Sequence, residues 1–262
     1  MKKQRHLLAG TLLMSVMWAV PILAQDYDLV INNGRVMDPE TLYDDVANVG
    51  IKDGRIVAIT KDAITGAETV DATGHIVGPG FVDTHFHWQA PLGYALGLRD
   101  GLTSAMDIEL GCPGTFIAKW YEARAGVTQG NYGCGSSHES ARAMVIDGKL
   151  SDEIYMRGPM AVMESRKKNG WSLNRATLDQ GNEILEIIDK GLQDGALGVA
   201  STLGYMRDGV TTREMFEVQK VGARYGRLTG AHTRFTPDND TMENLGQQEL
   251  LLNAVALGAP AI

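Results

Sequence analysis

The hydrophobic and polar positions follow two different rhythms along most of the chain. From Asp26 onward, short apolar runs alternate with turn residues, as in YDLVINNGRVMDP and ANVGIKDGRIVAIT. Asp53-Gly54 separates two such runs in the manner typical of a hairpin, and Asn32-Asn33-Gly34 indicates another turn. This rhythm predicts a small antiparallel β-unit that ends near residue 77.

From residue 78 onward, strand-like apolar runs alternate with segments of helical periodicity. The clearest helix, TTREMFEVQKVGARYG, has Thr211 or Thr212 as its cap and ends at Gly226. Such alternation predicts parallel βα units and hence the α/β class. Six strands of this kind suit an open doubly wound sheet or an incomplete barrel, and we place them at residues 81–85, 104–109, 129–133, 197–201, 227–232 and 260–262.

Residues 1–24 form a third pattern, with basic residues first, then an apolar run, then Pro21 and Ala24. This order is typical of a secretory signal peptide that is cleaved after Ala24. Polar and small residues interrupt the apolar run, so a membrane anchor that persists after cleavage is disfavoured. We therefore expect an exported protein, either periplasmic or secreted.

Composition and charge narrow the class of partner. Hydrophobic residues make up 44% of the 262 residues, which is enough for a large core. The formal net charge is −8, and loss of Lys2, Lys3 and Arg5 with the signal peptide would make it −11. Such an acidic protein has no electrostatic basis for binding nucleic acid. Its two cysteines, Cys112 and Cys134, either pair or are each buried as thiols, and the sequence leaves both possibilities open.

Two histidines at the end of an apolar run are the first candidate for chemistry. In GPGFVDTHFHWQ, alternate residues of a strand point the same way, so His85 and His87 share a side with Asp83. Neutral imidazole is the commonest protein ligand for metals, and a pair on one strand suits zinc. The alternative is that both are surface histidines in a polar loop. The preceding apolar strand favours the metal interpretation.

The motifs around this pair carry a family resemblance. DLVINNGRVMDP, VGIKDGRIVAI and VDATGHIVGPGFVDTHFH together resemble the N-terminus of the amidohydrolase superfamily. GALGVASTLGY and TTREMFEVQKVGARYGRLTGAHTR are similar to its N-acyl-D-amino-acid deacylase (D-aminoacylase) branch. The resemblance, from Asp26 to Ile262, implies an incomplete TIM-like (β/α)8 barrel of a metal-dependent hydrolase. Residues 25–77 would be the N-terminal part of a β-sandwich, and residues 78–262 the first five to six βα units.

The resemblance also implies an activity and the residues that serve it. A zinc-dependent enzyme with one or two ions would hydrolyse a small-molecule N-acyl-D-amino acid to a carboxylate and a D-amino acid. His85 and His87 match the ligands of the first barrel strand, and His232 in GAHTR matches the next histidine ligand. Tyr205 matches a tyrosine near the reacting amide, where a phenol polarises the carbonyl. By themselves, His232 also suits a core histidine and Tyr205 an apolar lid residue.

The second barrel strand departs from the better-known D-aminoacylases, which carry a metal-bridging cysteine there. In GLTSAMDIELGC, Glu109 lies near the strand end and Cys112 follows slightly late. We predict Glu109 as the bridging ligand, with Cys112 as the alternative, although Glu109 also suits an ordinary strand-end acid. Asp107 shares the strand face of Glu109 by the period of two.

The resemblance places further catalytic groups, a sixth-strand histidine and an eighth-strand aspartate that acts as general acid and base, after Ile262. We therefore expect the sequence to be the N-terminal part of a longer product. Two alternatives stay open. One is another amidohydrolase with a cyclic amide or dipeptide substrate, and the other is a truncated chain that is inactive by itself.

Overall fold

The computed structural model describes residues 27–235 and 243–262, so the predicted signal peptide lies outside the described residues. The chain divides into two compact units between Pro79 and Gly80. None of the helices in the described ranges combines the length and apolar character needed to cross a membrane.

The first unit is one small sheet. Its strands are β1 (Tyr27–Asp38), β2 (Tyr43–Lys52), β3 (Arg55–Thr60), β4 (Gly66–Asp71) and β5 (Ile76–Val77). They are ordered β3-β2-β1-β4, and β5 also pairs with β1. Strands β1, β2 and β3 pair antiparallel, but β4 and β5 run parallel to β1. The predicted antiparallel unit is confirmed for β1, β2 and β3, and the two later strands add parallel pairing to it.

Turn residues mark two different features in this sheet. Asp53 and Gly54 have φ angles of 51° and 70°, which confirms the predicted hairpin and fits its primed turn type. Asn32-Asn33-Gly34, in contrast, is a β-bulge within the single strand β1 rather than a turn between two strands. A side chain at Gly34 would lie 2.4 Å from Val77 Cγ2, so close packing explains the glycine.

The second unit is an open parallel sheet. Its strands are β6 (Phe81–Asp83), β7 (Leu102–Cys112), β8 (Asn131–Ser137), β9 (Gly198–Ser201) and β10 (Leu228–Ala231), which neighbour one another in chain order. Beyond β10, Ala261 forms a parallel bridge with Thr229, as expected of a sixth strand. Five consecutive parallel strands with helices between them form half of a TIM-like barrel, which confirms the predicted fold class.

The helices are α1 (Pro91–Arg99), α2 (Ile117–Glu122), α3 (His138–Arg142), α4 (Asp152–Tyr155), α5 (Pro159–Ser165), α6 (Gly170–Leu173), α7 (Leu178–Gln193), α8 (Thr212–Arg224) and α9 (Glu243–Leu257). The hydroxyl of Thr211 caps α8 by accepting the N–H of Glu214, which decides between the two predicted caps. Helix α7 begins with a reciprocal capping box between Thr177 and Gln180.

The main core lies between α7, α8 and the sheet. Four apolar side chains at helical spacing in α7, Ile184, Ile187, Ile188 and Leu192, are buried, and so are Met215, Val218 and Val221 of α8. All of these except Met215, which belongs to a second cluster, pack together with Val199 of β9 and Cys134 of β8. Each fully buried aliphatic side chain contributes about 1.5–3 kcal/mol to folding. This packing fixes the strands so that their carboxyl ends meet at one edge.

Candidate metal centre

The His-x-His pair follows the first strand of the parallel sheet. Strand β6 ends at Asp83, two residues earlier than predicted, and the Asp83 carboxylate accepts the N–H of His85 at 2.8 Å. His85 then forms an antiparallel bridge with Asp107 of β7. This bridge, rather than a longer β6, holds the imidazoles of His85 and His87 with their ring centroids 4.8 Å apart.

A bulge at the end of β7 presents Glu109. Asp107 is paired with Cys134 of β8 and Cys112 with Ser136, so five steps along β7 match two along β8. The buried carboxylate of Asp107 accepts backbone N–H groups from within the bulge through Oδ1, and its partners are Glu109 at 3.3 Å, Leu110 at 2.8 Å and Gly111 at 3.0 Å. Gly111 has a φ of 73°, a conformation that favours glycine. Asp107 thus organises the loop that carries the predicted bridging residue.

Glu109 lies between the pair formed by His85 and His87 on one side and His232 on the other. Its Oε2 is 3.6 Å from Nε2 of His85 and 3.7 Å from Nε2 of His87. Its Oε1 is 3.2 Å from Nδ1 of His232. The structure therefore brings together all four residues that the sequence predicts as ligands. One carboxylate oxygen faces the pair and the other faces His232, so Glu109 would be able to serve ions held on either side.

The second nitrogen of His87 is held from behind. Its Nδ1 lies 2.6 Å from Oδ2 of Asp107, whose side chain is fully buried. This hydrogen bond raises the pKa of His87, and the charges of Asp107 and Glu109 add to the effect against a partial opposition from burial. With Nδ1 as the donor to Asp107, Nε2 is left as the ligand atom that faces Glu109. The sequence placed Asp107 near the site but did not predict this role.

His232 is fixed by the loop that follows β9. Its N–H donates to the Ser201 carbonyl at 2.9 Å, and its own carbonyl accepts the N–H of Gly204 at 3.0 Å. A Cβ at Gly204 would lie 2.6 Å from His232 Cδ2, so only glycine leaves room for the imidazole. Tyr205 stacks on the same imidazole with 4.6 Å between ring centroids, and its side chain is half exposed. The predicted catalytic tyrosine thus lies beside the predicted ligands.

The donors suit a zinc ion. Imidazole nitrogens and a carboxylate oxygen are typical zinc ligands, and two of them on a tetrahedral ion lie roughly 3.4 Å apart. The separations of 3.2, 3.6 and 3.7 Å around Glu109 are close to that value. The ligand atoms of His85, His87 and Glu109 all lie within 4.8 Å of one another. A cavity of about 330 Å³, lined in part by His85, Glu109 and His232, gives access to the cluster.

Cys112 does not belong to this donor set. It forms a disulfide with Cys134, with a Cα–Cα distance of 5.9 Å, and both residues are buried. A disulfide sulfur offers no thiolate to a metal, so the alternative assignment of Cys112 as ligand is wrong for this structure. The question that the sequence left open is answered in favour of pairing.

A second histidine network lies close to the sheet edge but inside the core. His138 Nδ1 is 3.0 Å from Ser201 Oγ, and its Nε2 is 3.1 Å from Glu214 Oε1. The connectivity is that of a serine, histidine and glutamate triad. However, Ser201 and His138 are both fully buried, so a substrate cannot reach the hydroxyl. Burial lowers the pKa of His138, and the network is structural.

Comparisons with known proteins place this site in context. No protein-family model matches the chain. It is 50% identical over 64 residues to a dihydroorotase of Streptococcus pneumoniae, and 43% identical over 75 residues to an allantoinase of Bacillus licheniformis. These matches cover 24% and 29% of this chain and 15% of each relative.

Solved structures match nearly the whole chain. A D-aminoacylase with a binuclear metal centre has a TM-score of 0.70 at 19% identity, over 90% of this chain and 50% of that one. The zinc complex of N-acyl-D-glutamate deacylase from Bordetella bronchiseptica, which holds a phosphonate inhibitor, has a TM-score of 0.68 at 20% identity, over 90% and 51%. At this level of identity, the likeness shows a shared fold and not an activity. An L-hydantoinase from Arthrobacter aurescens also matches, with a TM-score of 0.56 at 18% identity, over 90% of this chain and 52% of its own.

The matches include a dihydroorotase, an allantoinase and a hydantoinase besides D-aminoacylases, so they do not select one substrate class. The chain spans about half the length of the solved structures and a smaller share of the curated relatives. What the chain shares with the solved structures is the fold, which consists of the half-barrel and the sheet that precedes it in the chain.

Proposed function

We propose that the protein is an exported, zinc-dependent amidohydrolase that cleaves a linear amide, converting an N-acyl-D-amino acid to a carboxylate and a D-amino acid. The observation that carries the proposal is the position of Glu109, with one oxygen facing His85 and His87 and the other facing His232. The motifs around Tyr205 and His232 support the D-aminoacylase branch. Higher TM-scores for D-aminoacylases, 0.68–0.70 against 0.53–0.58 for hydantoinases, also support a linear substrate.

Each residue of the site has a distinct task in this proposal. His85, His87 and Glu109 would hold one zinc, and Glu109 and His232 would contribute to a second. When bound, zinc would supply a Lewis acid that polarises the amide carbonyl and lowers the pKa of a water to about 7. Asp107 keeps the proton of His87 on Nδ1, so that Nε2 stays free to bind. Tyr205, stacked on His232, is placed to donate its hydroxyl proton in a hydrogen bond to the carbonyl oxygen as charge develops.

The cavity and the disulfide support the substrate size and the compartment. A space of about 330 Å³ suits a small molecule rather than a polymer. A disulfide between Cys112 and Cys134 is typical of oxidising compartments, which agrees with the signal-like pattern of residues 1–24.

The test is metal content and turnover in the full-length product of the gene. Wild-type protein and His85→Ala are loaded with zinc, and hydrolysis of N-acetyl-D-amino acids, their L-enantiomers and hydantoin is measured. His75→Ala is the matched control, because His75 is an exposed histidine whose ring bonds only to the Thr73 carbonyl among the described residues. We expect His85→Ala to lose bound zinc and activity and His75→Ala to keep both. Undiminished turnover in His85→Ala would refute a metal-dependent hydrolase.

A second candidate is hydrolysis of a cyclic amide. The observation that favours it is the local identity to a dihydroorotase and an allantoinase, 50% over 64 residues and 43% over 75 residues. Hydrolysis of hydantoin or dihydroorotate, with no turnover of N-acetyl-D-amino acids, would select this candidate. The metal site would then be retained and the substrate assignment replaced.

A further inference from the structure

An arginine and a buried glutamate form a pair beside the candidate metal centre. Glu139, in α3, has a fully buried side chain, and its two oxygens accept Nε and Nη2 of Arg166 at 2.6 and 2.9 Å. The hydroxyl of Thr202 also donates to Glu139. Burial raises the pKa of Glu139, and its bonds to Arg166 oppose that shift. With both oxygens bonded to Arg166, the Glu139 carboxylate fixes the plane of the guanidinium.

Arg166 reaches the aromatic ring that adjoins the ligands. Its Cζ lies 4.9 Å from the ring centroid of Tyr205, which in turn stacks on His232 at 4.6 Å. Although burial lowers the pKa of Arg166, its bonds to Glu139 and the nearby charge of Glu109 raise it overall. The guanidinium therefore stays protonated.

Part of this guanidinium has no protein partner. It carries five N–H groups, and Glu139 takes one on Nε and one on Nη2. Within the described ranges of the chain, Nη1 makes no hydrogen bond to protein, and the side chain is 30% exposed. Arg234, two residues after His232, differs in that all three of its guanidinium nitrogens have protein partners. Its Nε and Nη2 bind Glu249, its Nη1 binds two backbone carbonyls, and its side chain is 11% exposed.

We propose that Arg166 determines specificity by binding a carboxylate of the substrate while the scissile amide lies at the cluster of His85, Glu109 and His232. This inference rests on the proposed amide hydrolysis. The open edge of Arg166, with Nη1 and the second N–H of Nη2, matches the two oxygens of a carboxylate. Because Glu139 already holds the Arg166 side chain in place, little conformational entropy is lost when the substrate binds.

The experiment compares two substrates that differ only in this charge. Turnover by the zinc-loaded full-length protein is measured for the N-acetyl-D-amino acid that it hydrolyses fastest and for the corresponding C-terminal carboxamide. We expect the wild type to prefer the acid. Arg166→Gln should lower kcat/KM for the acid by about 10- to 100-fold, because one charge-assisted contact is lost, and should change kcat/KM for the carboxamide by less than about 3-fold. Arg166→Lys keeps the charge without the fork and should recover part of the loss.

Two further variants separate recognition from folding. Arg166→Gln leaves the buried Glu139 unpaired, so the double variant with Glu139→Gln restores a neutral pair and should show the same loss of preference for the acid. Arg157→Gln is the matched control, because Arg157 forms an exposed ion pair with Glu164 at 2.5 Å on the same segment. Unchanged preference for the acid in the double variant, with zinc content retained, would overturn the proposal.

The other outcomes distinguish the two proposals. Equal losses on acid and carboxamide would assign Arg166 a purely structural role. A wild type that shows no preference for the acid would overturn carboxylate recognition and leave amide hydrolysis in place. Turnover of uncharged cyclic amides alone would also overturn carboxylate recognition and leave amide hydrolysis in place. A wild type that hydrolyses no amide would remove the proposed function and this inference together.

Discussion

Asp107→Asn tests how the protein prepares His87 to bind a metal. The substitution is isosteric, and it replaces the carboxylate that lies 2.6 Å from Nδ1 of His87. In the native protein, the other oxygen of Asp107 accepts three backbone N–H groups of the bulge that carries Glu109. The asparagine must therefore present either its carbonyl or its NH₂ group to those three donors.

The number of hydrogen bonds decides the orientation. Turning the NH₂ group toward the bulge would lose three bonds, at about 1 kcal/mol each, whereas turning it toward His87 affects one. With the NH₂ group donating to Nδ1, the imidazole proton moves to Nε2, the atom that lies 3.7 Å from Glu109. A protonated nitrogen cannot bind a metal. We expect zinc affinity to fall by about 10- to 100-fold, the usual range for loss of such a supporting carboxylate.

The assay is zinc binding in competition with a chromogenic chelator, together with a thermal unfolding curve. The matched control is Asp71→Asn, because Asp71 also accepts a backbone N–H, from Thr73, and lies in the first unit. We expect Asp107→Asn to remain folded and Asp71→Asn to bind zinc normally. Wild-type zinc affinity in a folded Asp107→Asn protein would refute the argument that Asp107 sets the tautomer of His87.

Two other substitutions test the surroundings of the site. Gly204→Ala would place Cβ 2.6 Å from His232 Cδ2, so we expect a loss of about 1–3 kcal/mol in unfolding free energy and less bound zinc. In Gly181→Ala, within α7, the added Cβ has no neighbouring atom within 4 Å, so this substitution should instead stabilise the protein. Equal melting temperatures for the two variants would contradict this reasoning. His138 has a folded pKa below its ordinary 6.5, so the unfolded chain takes up its proton first as the pH falls. Wild-type stability should therefore decline below about pH 6.5 more steeply than that of His138→Gln, as measured by urea unfolding, and parallel pH profiles would contradict the assignment.

Local sequence patterns were sufficient for much of the fold. Helix α8 was predictable because its helical periodicity and its capping residue are both encoded within a few turns. The parallel strands were predictable from their alternation with helices, and so was the half-barrel by resemblance. The ends of strands were less accurate. Strand β6 is shorter than its apolar run, because the chain turns to bridge β7 after Asp83.

Pairing between distant segments was beyond the sequence pattern. A run of turn residues at Asn32-Asn33-Gly34 could mark either a turn or a bulge, and packing against Val77 decides for the bulge. The parallel pairing of β4 and β5 with β1 likewise depends on contacts between segments far apart in the chain. Whether Cys112 and Cys134 pair depends on the register of β7 and β8, which the bulge at Asp107 sets.

By itself, the sequence determined which residue types are available for chemistry: the His-x-His pair after a strand, Glu109 on the next strand, and His232 and Tyr205 in recognisable motifs. Only the tertiary structure decided how these groups face one another, with Glu109 between the histidines and Asp107 behind His87. It also placed Arg166 beside Tyr205, 39 residues away in the chain. The physical reason is range. Periodicity and capping act over a few residues, whereas hydrogen bonds and charge pairs act between whichever side chains the strand order brings together.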